Sequence, residues 1–287
     1  MKKGLKGLKA VAFVVVAAIA ALYYYIELPA INIHSPGFWK FIIFVMLIVT
    51  VEVWLMNHRK AAGGGRYRGN ISAKEFFSDF KTQAGSVLFK TAFVCTVILV
   101  VLYVAGNILS SPVINASKYQ QLLKVETRNF TDDIKEVSYD KIPLLDKDSA
   151  SIIGTRVMGT MVDMVSQYEV DDMYSQINYK EKPVRVTPLR YGNLIKWFTN
   201  HKNGIPAYIR IDMTTQEAEC VRLTEGIKYS KSDHFSRYIY RHLRFAYPTY
   251  IFDDINFEID DNGTPYWVCP VKKYNIGLFG GQTVGRV

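Results

Sequence analysis

His234 and His242 are the two histidines of five that fall on one helical stretch of the sequence, and three adjacent aspartate pairs lie nearby in the same half of the chain. Together they are the residues to test first for metal or acid–base chemistry. The two histidines stand eight positions apart, roughly two helical turns, with no third ligand beside them in sequence, so they are too far apart to share one ion. They read as exposed or hydrogen-bonded helix residues. Asp171-Asp172, Asp253-Asp254 and Asp260-Asp261 lack the alternating oxygen spacing of a calcium loop and read as caps and turns. The chain contains no His-Glu-x-x-His, Gly-x-Ser-x-Gly, phosphate loop, dinucleotide fingerprint or Cys-x-x-Cys. "GLFGGQTVG" is glycine-rich but lacks the Gly-Lys-Ser/Thr ending, so its glycines are expected in turns or bulges. No catalytic residue, metal or cofactor is expected.

Two other groups carry chemistry of a different kind. Glu52 is an ionisable side chain inside an apolar stretch, which is a functional-site hypothesis by default. It would serve a small transporter or channel subunit, or reach water and Arg59 near the inner end of its helix. Of three cysteines, Cys95 lies in an apolar stretch, while Cys220 and Cys269 share the second half and either bridge or stay free. The second half is also rich in aromatics. Tyr208, Tyr266 and Trp267 are candidates for binding a peptide, glycan or protein, unless they are core residues. Tyr266 and Trp267 are strand neighbours and must point to opposite faces.

The elements that hold these residues begin with three apolar stretches, Ala10 to Ile26, Phe38 to Met56 and Thr91 to Leu109, each close to the length that crosses a bilayer. Up to Ser117, Lys and Arg outnumber Asp and Glu by 12 to 4, and beyond it the balance is 23 to 22, within a formal total of +9. The basic excess flanks the apolar stretches, which removes the main support for nucleic-acid binding. It also predicts a cytoplasmic N-terminus, with Lys2, Lys3, Lys6 and Lys9 inside together with Arg59, Lys60, Arg66, Arg68, Lys74 and Lys81. Three spans then place the remainder outside. Between the second and third stretches, about 57–90, the sequence predicts a basic linker and an amphipathic helix with Ser72 and Glu75 as a capping box. That helix would lie on the inner membrane surface or against a cytosolic partner.

After residues 1–110, residues 111–145 are expected to form a stalk or linker, a helical stalk being one option over Lys118 to Asp140, and 146–287 an α+β ectodomain of helix-plus-hairpin units. The first unit is "DSASIIGTRVMGTMVDMV", capped by Asp148 or Ser149 with Ile153, Val157, Met161 and Met164 on its apolar face. A hairpin about Lys180-Glu181-Lys182-Pro183 follows. The second is a short helix using Leu194, Ile195 and Phe198, followed by "IPAYIRIDMTTQEAECVRL". The third is "SDHFSRYIYRHLRFAYP", with Phe235, Ile239, Leu243 and Ala246 buried and Arg237, Arg241 and Arg244 facing away. Its hairpin turns at Asp261-Asn262-Gly263. The last residues read as a strand with no closing element, as in a piece of a longer protein.

This order of elements resembles PepSY-like domains, on the segments "DKDSASIIGTRVMG", "AYIRIDMTTQEAECV" and "FEIDDNGTPYWVCPV". Over its whole length the chain is similar to the front of uncharacterised multi-span proteins of Gram-positive bacteria, some labelled colicin V production-like. The resemblance implies inhibition or regulation of proteases and work at the cell envelope, and carries over no catalytic residue. The expected protein is therefore a membrane-anchored, extracytoplasmic binding or regulatory module without catalysis of its own. Its partners would be the lipid bilayer and an envelope protein or a second copy of itself.

Overall fold

A computed structural model describes residues 2–61, 86–123, 125–134 and 136–287. The amphipathic helix and capping box expected between 57 and 90 fall largely outside the described residues. The chain divides into two units, one comprising Met1–Leu122 with Tyr274–Gln282, the other Leu123–Lys273 with Thr283–Val287.

In the first unit, α1 (Lys2–Glu27), α2 (Pro36–Ala61) and α3 (Val87–Leu109) follow the three apolar stretches. The 22-residue segment Pro36–Asn57 and the 23 residues of α3 are long and apolar enough to cross a membrane, whereas the apolar part of α1, Val11–Glu27, is shorter. At 1.5 Å per residue both longer helices exceed a hydrocarbon core of about 30 Å. Tyr23 of α1 stacks on Phe44 of α2 at 4.6 Å. Between α2 and α3 the hydroxyls of Thr50 and Thr96 meet at 3.0 Å; one donates to the other, which donates to its own helix, at Met46 O for Thr50 or Ala92 O for Thr96. Buried threonines are a recurrent interhelical tie where no water competes. The helix α4 (Pro112–Gln120) follows a Pro at its first turn.

The segment Tyr274–Gln282, expected within the ectodomain, clusters with these helices. The Ser110 hydroxyl accepts from the backbone N–H of Leu278 (2.8 Å) and Phe279 (2.9 Å) while donating to Gly106 O. Tyr119 OH holds Ser110 O at 2.9 Å. The Phe279 ring lies 6.3 Å from Trp39 and 5.7 Å from Tyr103. Close approach explains two glycines. A Cβ on Gly106 would stand 2.9 Å from Leu278 and Phe279, and Gly277, at φ +63, would bring one to 2.6 Å from the Ser110 hydroxyl. Ser110→Ala is expected to cost about 1–3 kcal/mol, because two N–H groups lose their acceptor. Hydrogen exchange should show the Leu278 and Phe279 amides opening faster in that variant.

The helical option for this stalk or linker is absent among the described residues. Between α4 and residue 146 only a one-turn α5 (Phe130–Asp133) and a 3₁₀ turn at Tyr139–Lys141 interrupt extended chain. Mixed charges without an apolar stripe leave a helix there nothing to bury.

In the second unit α6 (Lys147–Thr160) is capped by Asp146, two positions before Asp148 and three before Ser149, the caps expected from sequence; the Asp146 carboxylate accepts from Ser149 N at 2.7 Å. Its buried line is Ala150, Gly154 and Met158, flanked by Ile153 and Val157. Gly154 is the contact point, since a methyl there would overlap the Tyr174 hydroxyl. Then come β1 (Tyr168–Val170), β2 (Ser175–Tyr179), β3 (Lys182–Tyr191), α7 (Leu194–Asn200), β4 (Ile205–Asp212) and β5 (Ala218–Ile227). The strands make one antiparallel sheet in the order β1-β3-β4-β5, with β2 also on β3. The β2–β3 turn is Lys180-Glu181, both at positive φ (49 and 64).

Alternation along β4 sets the two faces. Ile205, Ala207, Ile209 and Ile211 point to a cluster with Ala150, Met158 and Trp197, while Tyr208 points to another with Val184 and Val186. That second face is covered by β7 (Asn256–Ile259), which among the described residues pairs only with β8 (Pro265–Val268) and inserts Phe257 and Ile259.

The third helix differs most from expectation. It reduces to a 3₁₀ turn at Phe235–Arg237 and α8 (Ile239–Ala246). Ile239 and Leu243 are buried as expected, with Ile255 and Cys269, but Phe235 and Ala246 are exposed and Arg244 is buried. The Arg244 guanidinium donates to the carbonyls of Tyr247, Pro248 and Tyr250, satisfying the chain where the helix stops. β6 (Ile251–Phe252), β9 (Pro270–Ile276) and β10 (Gly280–Arg286) form a separate sheet, β10-β9-β6. The three helix-plus-hairpin units thus share element order but not topology. The first two hairpins build one sheet and the third covers it.

Candidate functional site

On the second face of the large sheet, β7 covers β2 and β3 and leaves β4 and β5 beside an open trough. Two cavities of about 730 and 710 Å³ share Tyr179, Arg210 and Glu219 in their walls, within the size range of ligand sites. Arg210 and Glu219 are direct cross-strand partners and form an ion pair. The Arg210 guanidinium lies 4.2 Å from the centre of the Tyr179 ring. Burial pushes the Tyr179 phenol up, but hydrogen bonds from Lys180 and Arg210 outweigh it and hold the group below its ordinary value. Val221 and Leu223 give the trough an apolar wall, and residues 262–265 form its far side. One end adds Lys182, Asp212 and Glu217.

Among the described residues no strand pairs with the outer edge of β5. An open edge offers backbone donors and acceptors to an extended chain. It carries Glu219, Arg222 and Glu225 and a register shift opposite Ile205 and Ala207, features that disfavour indiscriminate edge pairing. The arrangement suits recognition. No nucleophile in it stands beside a base.

A second polar cluster lies on the opposite side of the same unit. Asp233, 2% exposed, accepts from Trp197 Nε1 (2.8 Å) and from the Ser230 hydroxyl (2.7 Å). Burial raises its carboxyl pKa against those two hydrogen bonds. Trp197 is the centre of an aromatic group, with Phe198, His201, His234 and Phe235 rings 4.4 to 5.8 Å away. Here Ser230 donates to the carboxylate and no histidine reaches its hydroxyl, so the group is a brace. Sequence reading passed over Asp233, because its partners come from residues 36 and 3 positions away and only the fold assembles them. It also inverted α7. Trp197 is buried, while Leu194, Ile195 and Phe198 are 49, 74 and 55% exposed.

The residues singled out from sequence are dispersed. Tyr208 is fully buried and its hydroxyl donates to Gly263 O at 2.9 Å, so it fixes the trough's wall and presents only part of it. Trp267 is structural too, with its ring 5.4 Å from Phe257 and its Nε1 donating to Tyr229 O. Tyr266, on the other side of the strand, is 52% exposed. Glu52 is half-buried in α2, and the side chain of its proposed partner Arg59 lies outside the described residues. The disulfide considered for Cys220 and Cys269 is not formed. Cys220 packs on the α6 side of the sheet and Cys269 in the α8 cluster, two different cores. Burial pushes the Cys220 thiol up and the Cys269 thiol to about 11, which makes both poor nucleophiles. Among the described residues no group of three or more His, Cys, Asp or Glu is placed to hold a metal.

No protein-family model, curated protein or solved structure matches the chain.

Proposed function

We propose that this chain is a membrane-anchored protein of the cell envelope. Its N-terminus is cytoplasmic, three helices span the bilayer, and the α+β unit works outside by binding or regulating another protein. It has no catalysis of its own. The observation that carries the reading is the trough beside the unpaired edge of β5, with Tyr179, Arg210 and Glu219 at its centre. The two membrane-length helices and the lysines preceding α1 support the anchoring and its direction. The helix-then-hairpin order that resembles PepSY-like domains supports an envelope role. Peptide recognition through a sheet edge and an adjoining groove needs no reactive side chain, which agrees with the chemistry of the trough.

A photoreactive residue placed at Glu219 or Leu223 of the full-length protein in its native membrane is expected to capture one enriched envelope protein. Arg210→Ala should weaken that capture about tenfold, the effect of losing about 1.4 kcal/mol at a charged contact. Capture of a second copy alone would replace the partner by self-assembly. Turnover of any substrate by the purified chain would overturn the reading altogether.

A further inference from the structure

Around Trp197 the second unit exposes a set of side chains that a folded protein ordinarily covers. Leu194, Ile195 and Phe198 of α7 are 49, 74 and 55% exposed, and Phe235 on the adjoining loop is 57% exposed. Phe198 and Phe235 both touch the Trp197 ring, at 4.9 and 5.8 Å, so the patch is continuous about that ring. Scattered exposed apolar residues need no explanation, but a contiguous group does.

Two further features set this patch apart. Phe235 sits at φ +51, a left-handed conformation that a bulky residue rarely adopts. It is held there by Arg241, whose guanidinium donates to Phe235 O at 2.5 Å. Below, the Asp233 carboxylate fixes Trp197 and, through Ser230, the start of the loop. The fold thus spends conformational freedom and a buried carboxylate to present an aromatic ring to solvent.

Charge selects the occupant. From Asn193 to Asn203 the charged residues are Lys196 and Lys202, and from Lys228 to Arg241 they are Lys228, Lys231, Arg237, Arg241 and the buried Asp233; Lys231 faces Asp171 and Asp254, so the basic charge left to the surface is that of Lys196, Lys202 and Lys228. Arg237 is half-buried, and its charge acts on the Asp233 carboxylate, so it belongs to the support beneath the patch. A rigid apolar tip inside a basic surround, on a chain that already carries membrane-length helices, has the two components of interfacial lipid binding. We propose that α7 and the loop carrying Phe235 form a lipid-docking surface. Its apolar residues enter the headgroup boundary of an anionic bilayer and its surface lysines meet the lipid phosphates. This surface is separate from the trough beside β5, and either assignment can fail alone.

The test uses the full chain reconstituted in vesicles of phosphatidylcholine with ~30 mol % phosphatidylglycerol, which supplies the anionic surface. p-Benzoylphenylalanine at Ile195, Phe198 or Phe235 is expected to form covalent phospholipid adducts on irradiation, detected by mass. The same group at exposed Glu181 is expected to form few. Adduct yield should fall at least about threefold in pure phosphatidylcholine or in high salt, as screening of an exposed basic surface requires. Lys196→Glu combined with Lys202→Glu should cause the same loss in anionic vesicles, with the protein's melting profile confirming that it is folded. Adducts formed only with another protein or a second copy would overturn the proposal in favour of a protein interface. Phospholipid adducts of equal yield in neutral and anionic vesicles would overturn the charge-selected surface.

Discussion

Phe257→Ala is expected to destabilise the second unit by about 3–5 kcal/mol, the range for removing a buried aromatic. Phe257 is fully buried, and it carries the β7–β8 hairpin onto the sheet between Tyr208 and Trp267, with ring centres 5.9 and 5.4 Å away. Alanine would open a cavity at the centre of the second face, and β7 keeps only Ile259 as a buried anchor there. The loss should be uneven. The cluster facing α6 does not contain Phe257. Hydrogen exchange on the variant should therefore show the amides of β7 and β8 opening well before those of β4. Uniform opening of both faces would mean that the two clusters form one cooperative unit.

Asp233→Ala is expected to cost about 2–4 kcal/mol, whereas Asp233→Asn should cost less than about 1 kcal/mol. Alanine leaves Trp197 Nε1 without its acceptor and the Ser230 hydroxyl with only its contacts to Ser232, while the carboxamide can still accept from Trp197 and donate to Ser230. The pH dependence separates this carboxylate from the others. Its folded pKa is raised by burial, so its contribution is fully present below the unfolded value of about 3.9 and is lost as pH rises through the folded value. Asp146, held low chiefly by the Ser149 N–H, Asp163, held low by Arg222, and Asp260, held low by the Thr264 N–H, have the opposite sign. They lose their contribution as pH falls. Denaturation of the Asp233→Asn variant should therefore approach or exceed wild-type stability as pH rises through the raised value, and then run parallel to it. A difference that does not change with pH would mean that Asp233 is not the titrating group.

Elements defined by a long period or by turn chemistry were legible from the chain alone. The apolar helices, the helix at Lys147–Thr160 and the Lys180-Glu181 turn each rest on local physics, and so does the glycine-bearing loop after Ile259. Short helices were not legible in this way. In seven residues with Leu194, Ile195, Trp197 and Phe198 the apolar side chains point all round, and only the Asp233 partner decides that Trp197 goes inward. Arg244 was assigned to solvent because it lies off the apolar stripe of its helix, yet the carbonyls of Tyr247, Pro248 and Tyr250, in the chain just beyond α8, receive it. The trough was legible only in part. A sheet-edge or face site was expected in the second half of the chain, which also holds the trough, but two of the aromatics chosen for it, Tyr208 and Trp267, are framework residues. Arg210 and Glu219 drew no attention because a cross-strand ion pair looks like any surface pair until the register is known, and Tyr179 was one aromatic among many in the second half.

The hydrogen bonds from Leu278 and Phe279 to Ser110 join residues 168 and 169 positions apart. Translation runs from the N-terminus, so α1, α2 and α3 are made and available for insertion while the segment that completes their unit is still unsynthesised. For that whole interval the Ser110 hydroxyl, Gly106 and the aromatic rings of Trp39 and Tyr103 must remain open to whatever meets the nascent protein first. Assembly of the helical unit therefore has a built-in waiting period. Its end is timed by the synthesis of Leu278 and Phe279, and factors that guard unfinished proteins have that period in which to act.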